Sequence, residues 1–118
     1  MTDEDRDRLE EIVDLIDLID AHLEGVAEAA FSGDRHLIDA TAYRLLHIGE
    51  NAMRLSPVLR ARYPHIPWRS MGDMRNYLAH DYGGSNLAMV WATATNDLEP
   101  LRAMCNAELG IDRTRLGE

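Results

Sequence analysis

The sequence contains no lysine: all twelve of its basic residues are arginine. It has one cysteine, one phenylalanine and four prolines in 118 residues. A lone Cys105 excludes both a disulfide framework and a cysteine-based zinc site. No apolar run approaches the ~18 residues that a membrane span requires. The acidic opening Met1-Thr2-Asp3-Glu4-Asp5 is unlike a signal peptide, so a cytoplasmic protein is expected. No stretch alternates apolar and polar residues for long enough to make a strand. Glycine-rich phosphate loops and nucleophile elbows are missing too.

What is there is a soluble, globular balance, with 46% apolar and 28% charged residues. The length suits one domain spanning residues 1–118, able to bury about 65% of its unfolded surface. A net charge of −9 argues against nucleic acid at first sight, but the average hides an asymmetry. Through Asp39 there are 13 acids and three arginines, a local charge of −10. Between Tyr43 and His80, six arginines face only Glu50 and Asp73. Arginine suits bidentate phosphate contacts, although its exclusive use equally fits a genomic bias.

Helical periodicity organises the whole chain. Thr2 can cap a first helix, in which Leu9, Ile12, Ile16, Ile19, Leu23, Val26 and Ala30 form one apolar stripe. Ser32-Gly33-Asp34 reads as a stop and a new cap, opening a second helix from Asp34 to Leu55. Ser56-Pro57 is a cap followed by proline at the first helical position, giving a short helix to Arg62. After the loop Tyr63-Pro64-His65-Ile66-Pro67, a helix runs from Pro67 until Gly83-Gly84 stops it. A last helix starts near Ser85 or Asn86, and Pro100 kinks or splits it. The expected fold is all-α, an antiparallel bundle of four or five helices.

Five histidines raise the question of a metal. A di-iron carboxylate bundle needs Glu-x-x-His on two facing helices, and the chain has none. His47-x-x-Glu50 has the reverse order and occurs once, so no metal and no cofactor is expected. The dense polar cluster is Arg75-Asn76-Tyr77-Leu78-Ala79-His80-Asp81-Tyr82-Gly83-Gly84. Asn76 and His80 share a helix face, so the amide can orient the imidazole. Arg75 and His80 stand about 140° apart around the axis. Both can face one ligand if the helix frays at the glycine pair, or if two copies meet on a two-fold axis. A histidine that shuttles protons and an arginine that neutralises phosphorane charge suit metal-independent cleavage of RNA, whose 2′-hydroxyl is the nucleophile. The plainer reading is a helix end where His80 meets the dipole and Arg75 pairs with Asp73 or Asp81.

The ordered set Ile48-Gly49-Glu50, Arg54-Leu55-Ser56, Pro64-x-Ile66-Pro67-Trp68, Met74-Arg75-Asn76, His80-Asp81-Tyr82 and Val90-Trp91 resembles the HepT-like family of the HEPN (higher eukaryote and prokaryote nucleotide-binding) superfamily. These proteins are the toxin half of HEPN/MNT toxin–antitoxin pairs. The resemblance covers Tyr43 to Leu101 and implies a homodimeric RNA endonuclease with Arg75 and His80 in an interfacial cleft. It implies that Asn76 supports them, and that Tyr82 is the site of AMPylation by a minimal nucleotidyltransferase antitoxin. Glycine follows Tyr82 where other members often carry an aromatic or apolar residue. Glu50 is expected either at the surface or paired with an arginine such as Arg75, and Trp68 and Trp91 in the core. A second reading is a non-catalytic helical module that serves as docking partner and substrate of the nucleotidyltransferase. In either case the acidic face is expected to point away from the cleft, with the arginine-rich middle lining it.

Overall fold

The computed structural model describes residues 1–80 and 86–115, with side chains to Ile111. Seven α-helices stand among the described residues: α1 Asp3–Leu23, α2 Glu28–Ser32, α3 Arg35–Arg54, α4 Pro57–Ala61, α5 Trp68–His80, α6 Leu87–Ala92 and α7 Glu99–Arg115. A π-helical segment, Thr93–Asp97, joins α6 to α7. There is no strand among them, as the periodicity predicts, and no helix is long and apolar enough to cross a membrane.

The helix count exceeds the expected four or five for two local reasons. Gly25 adopts a φ of 75°, so the first helix ends at Leu23 and its supposed continuation becomes the separate α2. Val26 is only half-buried and Ala30 is exposed, so the stripe stops with the helix. At the other end, Pro100 has no N–H to offer the carbonyl one turn earlier, and its ring crowds that turn. The chain accommodates this by widening into the π segment just ahead of α7.

Elsewhere the capping chemistry acts as the sequence suggests. The Asp34 carboxylate accepts from the Leu37 amide, and the Asn86 side-chain carbonyl from that of Met89. The Ser56 hydroxyl accepts from the Leu59 amide at the start of α4. The buried faces of α1 and α3 then meet, with Leu9, Ile12 and Ile16 against Ala42, Leu45 and Ile48 in a continuous core. α1 packs along α3 and α7, and α5 packs on α3. Arg8 bonds the Arg54 carbonyl near one end of the α1–α3 pair, and His22 meets Arg44 near the other, so the two helices are antiparallel.

Two buried carboxylates lock the corners. Asp5 is only 2% exposed and accepts from the Ser56 amide (3.0 Å) and the Ser56 hydroxyl (2.7 Å). It thereby joins the first turn of α1 to the start of α4. Glu108, on α7, accepts from Arg62 Nε and Nη2 and from the Tyr63 hydroxyl at 2.8 Å. Burial and then the bond to Glu108 raise the Tyr63 phenol above its usual range. The Trp68 indole donates to the Tyr63 carbonyl, so the loop before α5 is held at both ends.

Asp5→Ala would leave both Ser56 donors without their acceptor in a buried corner. An unmade buried hydrogen bond costs about 1–3 kcal/mol. Urea denaturation should show a loss of that size with an unchanged slope, and an unchanged midpoint would show that this corner contributes nothing.

Candidate functional site

The site is built where α3 meets α5. A Cβ placed on Gly49 would lie 2.8 Å from Arg75 Cβ and 3.3 Å from its Cγ. Only glycine lets the two helices come this close. One turn further on, Gly72 of α5 offers Met53 of α3 the same kind of seat, with the thioether sulfur 3.1 Å from a Cβ built there. The pairs 49–75 and 53–72 run in opposite directions, so α3 and α5 are antiparallel.

With the helices at this distance, Glu50 Oε1 accepts from Arg75 Nη1 at 3.1 Å. Both side chains keep 32% of their exposure, so the pair sits at the surface. Glu50 also faces Arg54 one turn along α3, at 3.8 Å. Among the described residues Arg75 pairs with Glu50 and not with Asp73, while Asp81 lies outside them. Its Nε is buried and makes no hydrogen bond among the described residues, because the stem of the side chain lies flat in the Gly49 seat.

His80 closes α5 and is exposed. Asn76 is exposed as well. The two share a face of α5, yet no hydrogen bond among the described residues joins them. Arg75 points toward α3 while His80, about 140° around the axis, points toward solvent. One copy of the chain thus does not bring these two groups face to face. Tyr82 and the Gly83-Gly84 stop lie outside the described residues.

The other arginines of the middle segment do not gather at this site. Arg62 is held by Glu108, Arg60 Nε bonds the Leu55 carbonyl, and Arg44 meets His22 on the α1 side. Of the six, Arg54 and Arg75 meet at Glu50, and Arg69 is exposed nearer the start of α5, so the arginine-rich middle is spread over the surface rather than gathered along one cleft. Exposed α1 acids such as Glu10, Asp14 and Asp17 lie on a helix packed between α3 and α7, with α5 on α3. Trp91 packs 5.1 Å from Phe31, and Trp68 is half-buried against the core. A separate apolar cleft of about 400 Å³ lies between the start of α5 and the π segment, lined by Met71, Met74 and Met89. It includes none of Glu50, Arg75 and His80. Cys105 is buried, and burial pushes its thiol up to about 12, which makes it unreactive.

Two features were missed by pattern reading. Tyr43 and His47 pack against each other on α3, with ring centroids 4.3 Å apart and planes tilted by 52°, on the helix face that carries Glu50. Their four-residue spacing is the signal that was available. The close approach at Gly49 had no local signal, since a helix-interior glycine does not announce its neighbour.

Comparison with known proteins gives a consistent result. The model of the family described as ribonuclease HepT-like matches residues 12–108. The "Probable ribonuclease HepT" of Thermococcus cleftensis is 31% identical over 97 residues, which cover 82% of this chain and 88% of that one. A Caldanaerobacter subterraneus protein named "Putative RNase" is 28% identical over 96 residues, 81% of this chain and 86% of its own. A Methanocaldococcus jannaschii protein named "Gamma-glutamylcyclotransferase and putative RNase" is 32% identical over 94 residues. These residues are 80% of this chain but only 42% of that larger protein. No solved structure matches. The chain belongs to the ribonuclease HepT-like family.

Gly49→Ala should force α3 and α5 apart and cost about 1–3 kcal/mol, the range for overpacking a tight contact. Gly110 meets nothing within 4 Å, so Gly110→Ala is the control and should hold or raise the melting temperature. Equal melting curves for the two variants would show that the Gly49 seat does not set the helix spacing.

Proposed function

We propose that this member of the HepT-like family is a metal-independent RNA endonuclease, the toxin of a HEPN/MNT toxin–antitoxin pair. Arg75 and His80 carry the chemistry in the cleft of a homodimer. The observation that supports this best is the arrangement on α5. Arg75 is fixed at the surface by Glu50 and the Gly49 seat, and His80 is exposed at the end of the same helix. A two-fold axis beside α5 would present two arginines and two histidines to one strand, which one copy does not.

In this reading a phosphate displaces Glu50 from one side of the Arg75 guanidinium. One imidazole takes the proton of the 2′-hydroxyl, whose oxygen attacks phosphorus. The O2′–P bond forms and the P–O5′ bond breaks. A protonated second imidazole, from the other copy, gives its proton to the leaving O5′. Arg75 stabilises the extra charge of the phosphorane-like transition state. The products are a 2′,3′-cyclic phosphate and a 5′-hydroxyl end. Asn76, exposed beside His80, supports the bound strand. AMPylation of Tyr82 by the nucleotidyltransferase antitoxin would set bulk and negative charge next to this cleft and exclude RNA.

The second reading, a docking partner of the nucleotidyltransferase without catalysis, rests on a separate observation. α1 carries most of the chain's negative charge on an exposed face, which suits a basic protein partner rather than RNA.

The purified protein should cut single-stranded RNA in EDTA, and His80→Ala should lower the rate by about 10²–10⁴-fold with the circular dichroism unchanged. Cleavage by His80→Ala at the parent rate would remove the mechanism. Co-expression with a minimal nucleotidyltransferase antitoxin of the proposed pair should raise the intact mass by one adenylate on Tyr82. An unmodified Tyr82 with no co-purified partner would overturn both the regulation and the docking reading.

A further inference from the structure

The chain is poor in aromatic residues, at 6%. Phe31 is buried, and Tyr63, Trp68, Tyr77 and Trp91 pack against the core. Tyr43 departs from this rule, with 53% of its surface in water. Leaving such a ring exposed costs apolar burial, and its position on α3 is not arbitrary. Tyr43, His47, Glu50 and Arg54 are spaced four, three and four residues apart, so they form one stripe along the helix. His47 abuts one side of the ring at a tilt of 52°, with centroids 4.3 Å apart, and so limits its rotation while the rest of the ring stays in water. Glu50, the next residue of the stripe, holds Arg75.

We infer that Tyr43 and His47 form a stacking platform for an unpaired RNA base next to the phosphate that Arg75 engages. This deepens the ribonuclease reading and rests on it. Tyr43 and Glu50 are seven residues apart, a rise of about 10 Å along the helix. A stacked strand advances about 3.4 Å per nucleotide, so a base two or three nucleotides from the scissile phosphate reaches the ring. The stripe is electrostatically open to a polyanion, since Arg54 and Arg75 both face its single carboxylate. Asp39, one turn before Tyr43, pairs with Arg35. A phenol face takes any base, which makes the platform a device for strand binding rather than for reading sequence.

Binding of a short fluorescent single-stranded RNA, followed by anisotropy in a His80→Ala background that does not cut, tests this. Tyr43→Ala should weaken binding about 5- to 150-fold, the range for removing one stacked base. Tyr43→Phe should stay within about twofold of the background protein, because stacking needs the ring and not the hydroxyl. Equal affinity for Tyr43→Ala, alongside normal RNA cleavage by the parent, would overturn the platform and leave the ribonuclease reading intact. A parent that neither binds nor cuts RNA would overturn both. Loss of dimer in Tyr43→Ala on a sizing column, with RNA affinity unchanged, would assign the ring to a subunit contact and overturn the platform.

Discussion

The absence of a side chain at Gly49 sets the distance between α3 and α5, and the surface chemistry of the molecule depends on that distance. Glu50 and Arg75 meet only because their backbones do. The ion pair itself contributes little to stability, since a pair with a third of each side chain in water is worth at most about 1 kcal/mol after screening. Its value is positional. It holds a long, rotamer-rich guanidinium in one place before a ligand arrives, so less side-chain freedom is lost on binding. The same pair sets a threshold, because an anion must do better for Arg75 than the half-hydrated Glu50 already does. A phosphate meets that condition, offering more charge and more acceptor oxygens than a carboxylate shared between two arginines.

The buried corners serve this contact from a distance. α5 has short loops on its N-terminal side, and its angle to α3 is fixed by where that loop begins. Glu108 binds Arg62 and Tyr63, and Trp68 returns a bond to the Tyr63 carbonyl. These links tie α7, the loop and the first turn of α5 into one unit. Asp5 does the same for the α3–α4 turn by way of Ser56. Neither carboxylate belongs to the surface site, yet both hold the connections that lead from α3 into α5. The contact needs such rigid seating, since one helical turn of slippage would separate Arg75 from Glu50 by about 5.4 Å.

Much of this could be read from the residues, and the part that could not shares a cause. Asp34, Ser56 and Asn86 are legible as caps because a cap acts within three residues of itself. The apolar stripe of α1 is legible to Leu23 and then misleads, because periodicity continues through Val26 while Gly25 turns the backbone. Asp5 and Glu108 look like ordinary surface acids in the sequence. Their partners lie 51 and 46 residues away in the chain, and no local pattern connects them. The surface site divides in the same way. Arg75, His80 and Glu50 are found by their ordered motif, whereas the exposure of Tyr43 is a property of the packed molecule. The angle between Arg75 and His80 was legible from helical geometry alone, and it is that angle which makes a second copy necessary to the proposed chemistry.

Charge placement reconciles a net charge of −9 with a nucleic acid substrate. A polyanion approaching at random meets mostly repulsion, whereas at the α3–α5 contact Arg54 and Arg75 face the one carboxylate of Glu50. Repulsion everywhere else narrows the directions from which a strand can dock, at the expense of the association rate. In the proposed pair, exposed α1 acids such as Asp14 and Asp17 would offer a basic protein a surface separate from the Glu50–Arg75 contact. In the proposed reading salt acts on the two encounters through different groups: the α1 acids for the protein contact, and Arg54 and Arg75 for the phosphate contact. On that proposal catalysis and its control act through different helices of one small chain, with α3 packed against both α1 and α5.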